Sequence, residues 1–349
     1  MCGVKRNLEL DLLKFVACLI IVFHHYSALF MGTKIFQGGY VCVELFFLIS
    51  GYFLAGETDA DNGNGVAAFQ CVFRRIKNIY PHFMISYLVT YVLRIFMHIS
   101  PISAGVGTEI QRIIYDILFM TEIGFGGVPI LPSWYLSAMF IGMLLLYPLL
   151  ALSKRNCYFT YVYGPFIACV FYVFLLKRYG TVQSETIYLA AENTLVILPN
   201  LMRAFAGLTL GACIRAWGEH SGEWKPVHVK IFKFVEILLL IIVFGVLMQL
   251  TSFTSWDFIY ILFFVFIVFC ATKFEYKTTN ERLYRVVAYA AKLSLPIYLF
   301  QGVSAYLIMI LNERGIQNHI ITTGVFWLSL LFISNASLWF VNKWKRSLK

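Results

Sequence analysis

Long apolar segments recur along the chain and define its organisation. A helix needs about 20 mainly apolar residues to cross the hydrocarbon layer of a bilayer. Segments of that kind predict ten spans, at 12–31, 39–56, 79–97, 134–152, 158–176, 195–214, 234–250, 257–272, 293–312 and 319–341. The apolar runs are continuous and do not alternate at every second position, which excludes a β-barrel. We therefore predict an all-α fold, a polytopic transmembrane bundle that forms a single membrane-embedded domain over residues 1–349.

The composition supports a membrane protein. Hydrophobic residues make up 60% of the chain and charged residues 13%, whereas a soluble domain has about 45–50% apolar and about 25% charged residues. A disordered chain and a secreted globule are excluded on the same ground. The eight cysteines include no C-x-x-C pair, so we expect neither a disulfide nor a metal site.

The net charge of +10 has a topological explanation. With the N-terminus inside, the inner segments hold 20 of the 28 Lys and Arg residues and the outer loops hold 5. Basic residues are retained in cytoplasmic loops, so both termini are expected in the cytoplasm. The excess needs no nucleic-acid partner, and we expect none.

Two connections between spans are longer than the others. The inner one runs from Glu57 to Asn78 and contains Arg74 and Arg75. The outer one, residues 99–133, contains the amphipathic segment Glu109 to Glu122. Its apolar residues recur at helical spacing, which predicts a helix lying in the membrane interface.

The first predicted span carries two polar residues on one face. Lys14 and His25 are 11 residues apart, which is three helical turns and a rise of ~16 Å. A neutral imidazole in an apolar bundle is suited to accept a proton from a hydroxyl. The alternative for His25 is a hydrogen-bonded packing histidine. His24 points about 100° away, toward a neighbouring helix or lipid.

Two further charged residues within spans need partners, because a charge in the hydrocarbon region costs at least a few kcal/mol. Glu44 lies near the outer side of the second span, at a depth similar to that of His25, and is predicted to orient that imidazole. The alternative is a hydrogen bond from Glu44 to backbone or to Arg94. Arg203 lies about eight residues into the sixth span, which is deep enough to require a partner.

A basic cluster precedes the third span. Arg74, Arg75 and Lys77 lie just before Pro81, a residue that is tolerated in the first turn of a helix. One interpretation is recognition of phosphate groups on a cytoplasmic ligand. The other is anchoring by the positive-inside rule.

Taken together, these segments resemble the integral-membrane acyltransferase family 3. The motifs that carry the resemblance fall in family order: Lys14 with His25, Val43-Glu44-Leu45-Phe46-Phe47-Leu48-Ile49-Ser50-Gly51-Tyr52, Arg74-Arg75 before Ile79-Tyr80-Pro81, Ser133-Trp134-Tyr135-Leu136, Arg203 to Gly207, and Ser294 to Leu299. Three positions depart from the family pattern. Lys14 replaces the common arginine, Asn78 replaces a second arginine, and Gln301 replaces a histidine.

The resemblance implies a multi-pass enzyme of the bacterial inner membrane that transfers acyl groups other than aminoacyl groups. Acyl-CoA, with acetyl-CoA expected, would be the cytoplasmic donor, bound by Lys14, Arg74, Arg75 and Lys77 and not held as a permanent cofactor. The acceptor would be a hydroxyl of a surface polysaccharide or lipid-linked glycan.

Within that reaction His25, oriented by Glu44, would serve as a base or as a transient acyl carrier. Trp134 and Tyr135 at the outer mouth would stack on a sugar, and Arg203 would assist there; an interfacial aromatic belt is the alternative for the two aromatic residues. A transporter or membrane module of the same fold, for example for a small amino acid and without acyl transfer, is the alternative function. The sequence does not distinguish acetyl from succinyl groups, and it leaves the oligomeric state open.

Overall fold

A computed structural model describes residues 6–31, 35–60, 65–97, 106–120, 133–153, 158–183, 197–252, 255–275 and 279–347. Within those ranges the fold is all-helical, with eleven α-helices and no strand. The helices are α1 (Leu8–Tyr26), α2 (Val43–Ala60), α3 (Gly65–Phe96), α4 (Val106–Ile117), α5 (Ser133–Ser153), α6 (Gly164–Tyr179), α7 (Ile197–His220), α8 (Pro226–Gln249), α9 (Asp257–Lys273), α10 (Glu281–Glu313) and α11 (His319–Ser347).

Each of the ten predicted spans coincides with one of these helices. Eight helices are long and apolar enough to cross a membrane, namely α1, α2, α3, α5, α6, α8, α10 and α11 in the described part of the chain. The other two are α9, which has 17 residues, and α7, which carries Asn200 and Arg203. The helical, multi-span fold is thus confirmed, and the number of ten crossings stays a prediction.

Five of the described basic residues that are predicted to lie inside mark one end of the bundle. We call it the basic end and define it by Arg6, Arg75, Lys233, Lys273 and Lys345. Contacts between helices connect them there: Arg6 Nη2 to Ala288 O at 3.0 Å, Lys233 Nζ to Glu9 Oε2 at 2.7 Å, Lys273 Nζ to Gly218 O at 2.7 Å and Lys345 Nζ to Asn78 Oδ1 at 3.4 Å. Because α1 begins and α11 ends at this end, both described termini lie on one side of the bundle.

The opposite end is defined by Tyr26, Phe36 and Asp257. The Tyr26 hydroxyl lies 2.6 Å from Thr323 Oγ1, and the Phe36 amide donates to Met248 O at 2.9 Å. These contacts join segments that the charge distribution predicts to be outside. Placement of the basic end in the cytoplasm stays a prediction.

The inner connection is shorter than the sequence predicts. Helix α2 continues to Ala60 and α3 begins at Gly65, so Arg74 and Arg75 lie on a helix and not in a loop. Pro81 is inside α3 and not in its first turn. Hydropathy detects only the apolar stretch of a helix that can cross the hydrocarbon layer, and the turns of α3 around Arg74 and Arg75 continue the backbone hydrogen bonding beyond it.

The helix predicted in the outer connection is present as α4, and its acidic residues face the bundle; its place in the membrane interface stays a prediction. The Tyr87 hydroxyl of α3 contacts Asp116 Oδ2 at 3.4 Å. Burial raises the pKa of the Asp116 carboxyl to about 7, against the lowering effect of the Tyr87 hydrogen bond. Ile110, Ile114 and Leu118 are exposed on the other face, where an apolar surface is suited to lipid.

The closest packing in the bundle joins α2 and α7. A Cβ atom on Gly51 would lie 1.9 Å from Leu208 O, and one on Gly211 would lie 2.0 Å from Leu48 O. Small residues allow two membrane helices to approach to backbone contact. The pair Gly51 and Gly211 therefore fixes the separation of α2 and α7, the helices that carry Glu44 and Arg203.

We expect Gly211→Ala to destabilise the fold, because the new methyl group collides with the Leu48 carbonyl. Overpacking of this kind costs about 1–3 kcal/mol, which thermal unfolding of the purified protein in detergent would measure. Gly218→Ala on the same helix is the matched control, since no other helix in the described part of the chain has an atom within 4 Å of its Cβ position. Equal stability of the two variants would contradict the close contact.

Candidate active site

A buried ion pair lies where α2 and α7 meet. The Glu44 side chain is 0% exposed and that of Arg203 is 1% exposed. Arg203 Nε donates to Glu44 Oε1, and Arg203 Nη2 donates to Tyr40 O at 3.0 Å. The Tyr172 hydroxyl of α6 donates to Glu44 Oε2. Both charges thus have the partners that burial in a low-dielectric interior requires.

The ion pair continues into a wider polar network. The Arg203 guanidinium lies 5.3 Å from the centre of the Trp134 ring, a cation–π distance. The Tyr40 hydroxyl donates to Asp257 Oδ1 at 2.8 Å, and Thr181 Oγ1 donates to Asp257 Oδ2 at 2.8 Å. Side chains from α2, α5, α6, α7 and α9 are therefore held together through one set of contacts.

The structure corrects the predicted partner of Glu44. Both carboxylate oxygens contact Arg203 and Tyr172, and among the described contacts no hydrogen bond joins Glu44 to His25 or to Arg94. The reason is electrostatic, because a guanidinium compensates a buried carboxylate and a neutral imidazole does not. The same contact confirms the prediction that Arg203 has a partner.

The two histidines of α1 differ in their surroundings. His24 is buried, and its Nδ1 lies 3.0 Å from Phe36 O, as expected for a packing residue. His25 is half-buried, and its one described ring contact is to His24, at 5.2 Å between centroids. Its ring nitrogens have no hydrogen-bond partner in the described part of the chain, which leaves them available to a ligand.

A cavity of about 330 Å³ opens between five helices near the basic end. Three of the residues singled out in the sequence, Lys14, Arg75 and Tyr135, line it together. The remaining lining residues are Phe46, Ser50, Asn78, Ile79, Leu136, Met139, Ala291, Ser294, Leu295 and Tyr298. Polar groups at the basic end and an apolar interior make the cavity suited to a ligand with an anionic head and a narrow, less polar arm.

Lys14 and Arg75 each have one acidic partner and remain at the cavity wall. Lys14 Nζ pairs with Asp11 Oδ1 at 2.9 Å, and Arg75 Nη2 pairs with Glu57 Oε1 at 2.9 Å. Arg75 Nε is buried without a described hydrogen-bond partner. That N–H group is a donor still available to an anionic ligand.

The other two residues of the predicted basic cluster do not reach the cavity. The Arg74 side chain is 65% exposed, against 19% for Arg75, and it lies 3.4 Å from Glu57 Oε2. Lys77 is exposed. Neither residue lines the cavity, because successive positions on α3 point in different directions and only the Arg75 face turns inward.

All three departures from the family pattern lie at or next to the cavity, and one of them, Lys14, lines it. Asn78 lines it and accepts a hydrogen bond from Lys345 Nζ at 3.4 Å, so α11 brings a cation to the position of the missing arginine. Gln301 is buried one turn beyond Tyr298 and donates to Tyr298 O at 2.9 Å. Its Oε1 has no hydrogen-bond partner among the described residues.

Tyr135 lies within the bundle and not at its outer mouth, whereas Trp134 is half-buried in the first turn of α5 and its place at the mouth stays a prediction. Trp134 packs on Arg203, and Tyr135 is buried against Phe47, with ring centres 4.8 Å apart. Sequence reasoning missed Phe46 and Tyr298 as cavity residues, although both fall within the quoted motifs. Their aromatic character is common in this chain, so only the packing of α2, α5 and α10 identifies them.

Comparison with known families gives one match across most of the chain. A family model described as an acyltransferase domain matches residues 7–341. Comparisons with curated proteins and with solved structures give no match. The match includes every residue of the buried ion pair and of the cavity.

We expect Glu44→Leu and Arg203→Leu each to destabilise the protein by about 3–5 kcal/mol, because either change leaves an uncompensated buried charge. The double variant should lose less than the sum of the two, since no unpaired charge remains. Thermal unfolding of all four proteins in detergent measures this coupling. Strictly additive losses would mean that the two side chains do not stabilise each other.

Proposed function

The chain belongs to the acyltransferase family whose model covers residues 7–341, and from this premise we propose that it carries an acyl group from acyl-CoA at the basic end to a hydroxyl acceptor at the opposite end. One observation carries the proposal. Lys14 lines the cavity near the basic end, and His25 lies three turns further along the same helix, α1. A single helix thus joins a site for an anionic donor to a candidate base.

The proposed donor site binds the phosphates of acyl-CoA through positively charged side chains. The phosphates of acyl-CoA would contact Arg75, whose Nε is unpartnered among the described groups, and the cation of Lys345 beside Asn78. An arginine suits phosphate because its planar donors match the oxygen geometry. The arm of the donor would extend past Lys14 into the apolar part of the cavity, with Arg74 and Lys77 adding only long-range attraction at its mouth.

The acceptor site of the proposal centres on His25. Its imidazole nitrogen accepts the proton of the acceptor hydroxyl as the hydroxyl oxygen attacks the acyl carbon. The carbon–sulfur bond of the thioester breaks, and CoA leaves as its thiolate, which takes up a proton. The products are an O-acyl ester and CoA, and the imidazole returns to its neutral form when it releases its proton.

The class of acceptor rests on the resemblance to integral-membrane acyltransferases of surface glycans. We propose a hydroxyl of a surface polysaccharide or of a lipid-linked glycan in a bacterial inner membrane, with acetyl as the transferred group. Mass analysis of the host's surface glycans with and without the protein would test this. An acetyl ester adds a fixed mass to each modified sugar, and an unchanged profile for every glycan would favour transport without acylation.

We expect His25→Ala to abolish acyl transfer while the protein still inserts into the membrane, because the half-buried His25 ring has no described hydrogen bond to the rest of the fold. Transfer of radiolabelled acetyl from acetyl-CoA to membrane glycans measures the activity. His228→Ala removes an exposed histidine on α8 and is the matched control. Full activity of His25→Ala would remove His25 from the mechanism.

We expect Arg75→Gln to raise the KM for acetyl-CoA by about tenfold or more, because a hydrogen bond to a charged group contributes about 1.5–3 kcal/mol. Arg74→Gln should raise it less, since Arg74 is outside the cavity. Steady-state kinetics in detergent would separate the two variants. Equal effects of the two substitutions would place the donor phosphates outside the cavity.

A further inference from the structure

Three aromatic rings close the cavity on the side away from the basic end. On α10 the lining residues run from Ala291 near the basic end to Tyr298, the furthest from it. Helices α2 and α5 run in the other direction, and on them the furthest lining residues are Phe46 and Tyr135. On these three helices, the lining residue nearest the opposite end is therefore aromatic.

The three rings touch one another. The ring centres of Phe46 and Tyr298 are 5.9 Å apart, those of Phe46 and Tyr135 are 5.9 Å apart, and those of Tyr135 and Tyr298 are 5.8 Å apart. These are contact distances for aromatic side chains. We call this group the ring cluster.

Measured along α1, the level of the ring cluster lies between the cavity and His25. Cys18 Sγ donates to Ser294 O at 3.2 Å, so Cys18 of α1 is level with a lining residue of the cavity. His25 follows Cys18 by seven residues, which is about 10 Å further toward the opposite end. His25 does not line the cavity, so a group that moves from the basic end toward the opposite end reaches the level of the rings before that of the imidazole.

The rings form the far wall of the cavity. The cavity has a volume of about 330 Å³, and its side walls are packed helices. An acyl group that points away from the basic end therefore meets Phe46, Tyr135 and Tyr298 when its chain is lengthened.

The rings differ in how firmly they are held. Tyr135 and Tyr298 are buried, and the Tyr135 hydroxyl donates to Met139 Sδ at 3.2 Å. Phe46 is half-buried and has no polar group to anchor it. Phe46 is therefore the ring whose removal enlarges the cavity with the least loss of hydrogen bonding.

We propose that the ring cluster selects the length of the acyl group and restricts the donor to short-chain acyl-CoA. This inference rests on the proposed function and specifies its substrate class. The selection is steric, since a longer chain collides with the rings when the phosphates of the donor are bound at the basic end. Phe46, Tyr135 and Tyr298 are specificity-determining residues in this proposal, and no proton or electron moves at the rings.

The test compares the binding of acetyl-CoA and hexanoyl-CoA to the full-length protein in nanodiscs, with no acceptor present. For the unaltered protein we expect the Kd for hexanoyl-CoA to be at least tenfold the Kd for acetyl-CoA, in the range by which apolar pockets discriminate chain length. In Phe46→Ala the ratio of the Kd for hexanoyl-CoA to the Kd for acetyl-CoA should fall to about one to two, which corresponds to loss of this discrimination. Phe46→Leu should give an intermediate ratio and serves if the alanine variant does not fold.

Phe232→Ala is the matched control. Phe232 is likewise half-buried among other rings on α8, and it does not line the cavity, so its removal should leave the ratio unchanged. If acetyl-CoA binds but the ratio is the same in all variants, the ring cluster does not select chain length and the proposed function stands. If neither acyl-CoA binds to the unaltered protein, the proposed function and the selection both fail.

Discussion

The Glu44–Arg203 ion pair is the interaction on which the arrangement of the bundle depends. Two opposite charges without solvent exposure are tolerated only if each has a complete set of partners, and here those partners come from several helices. The carboxylate contacts α6 through Tyr172, and the guanidinium contacts the backbone at Tyr40 and the Trp134 ring of α5. A shift of any of these helices would remove a partner from a buried charge, which makes the position of each helix depend on the others.

The ion pair also constrains the cavity, because residues close in sequence to Glu44 and Trp134 line the cavity walls. Phe46 and Ser50 follow Glu44 on α2, and Tyr135 follows Trp134 on α5, so the helices fixed by the ion pair also form two walls of the cavity. The glycine contacts between α2 and α7 set the spacing at which this is possible. In the proposed reaction the network holds the cavity walls in place, and Glu44 takes no part in a proton transfer.

Hydropathy and charge predicted the helices and the grouping of their ends, because both depend on residues close in sequence. Hydropathy and charge do not predict the pairing of Glu44 with Arg203. Each residue alone signals a missing partner, but the choice between His25, Arg94 and Arg203 depends on how α2 packs against α7. Likewise, Arg74, Arg75 and Lys77 are alike in sequence, and only the rotation of α3 about its axis separates the one that lines the cavity.

Chemistry that joins two sides of a membrane requires a path for the transferred group and a barrier to everything else. A continuous polar channel would satisfy the first requirement and leak ions, since water in such a channel removes the energetic cost of moving charge. In the proposed reaction, the cavity ends at a layer of close-packed rings, and the imidazole of His25 lies beyond that layer. The uncharged thioester end of the CoA arm is narrow and apolar enough to pass such a layer with its acyl group still attached, whereas a CoA phosphate or a hydrated ion is not. In the proposed reaction, the separation of Lys14 from His25 along α1 keeps the anionic donor and the hydroxyl acceptor on different sides of the apolar ring layer.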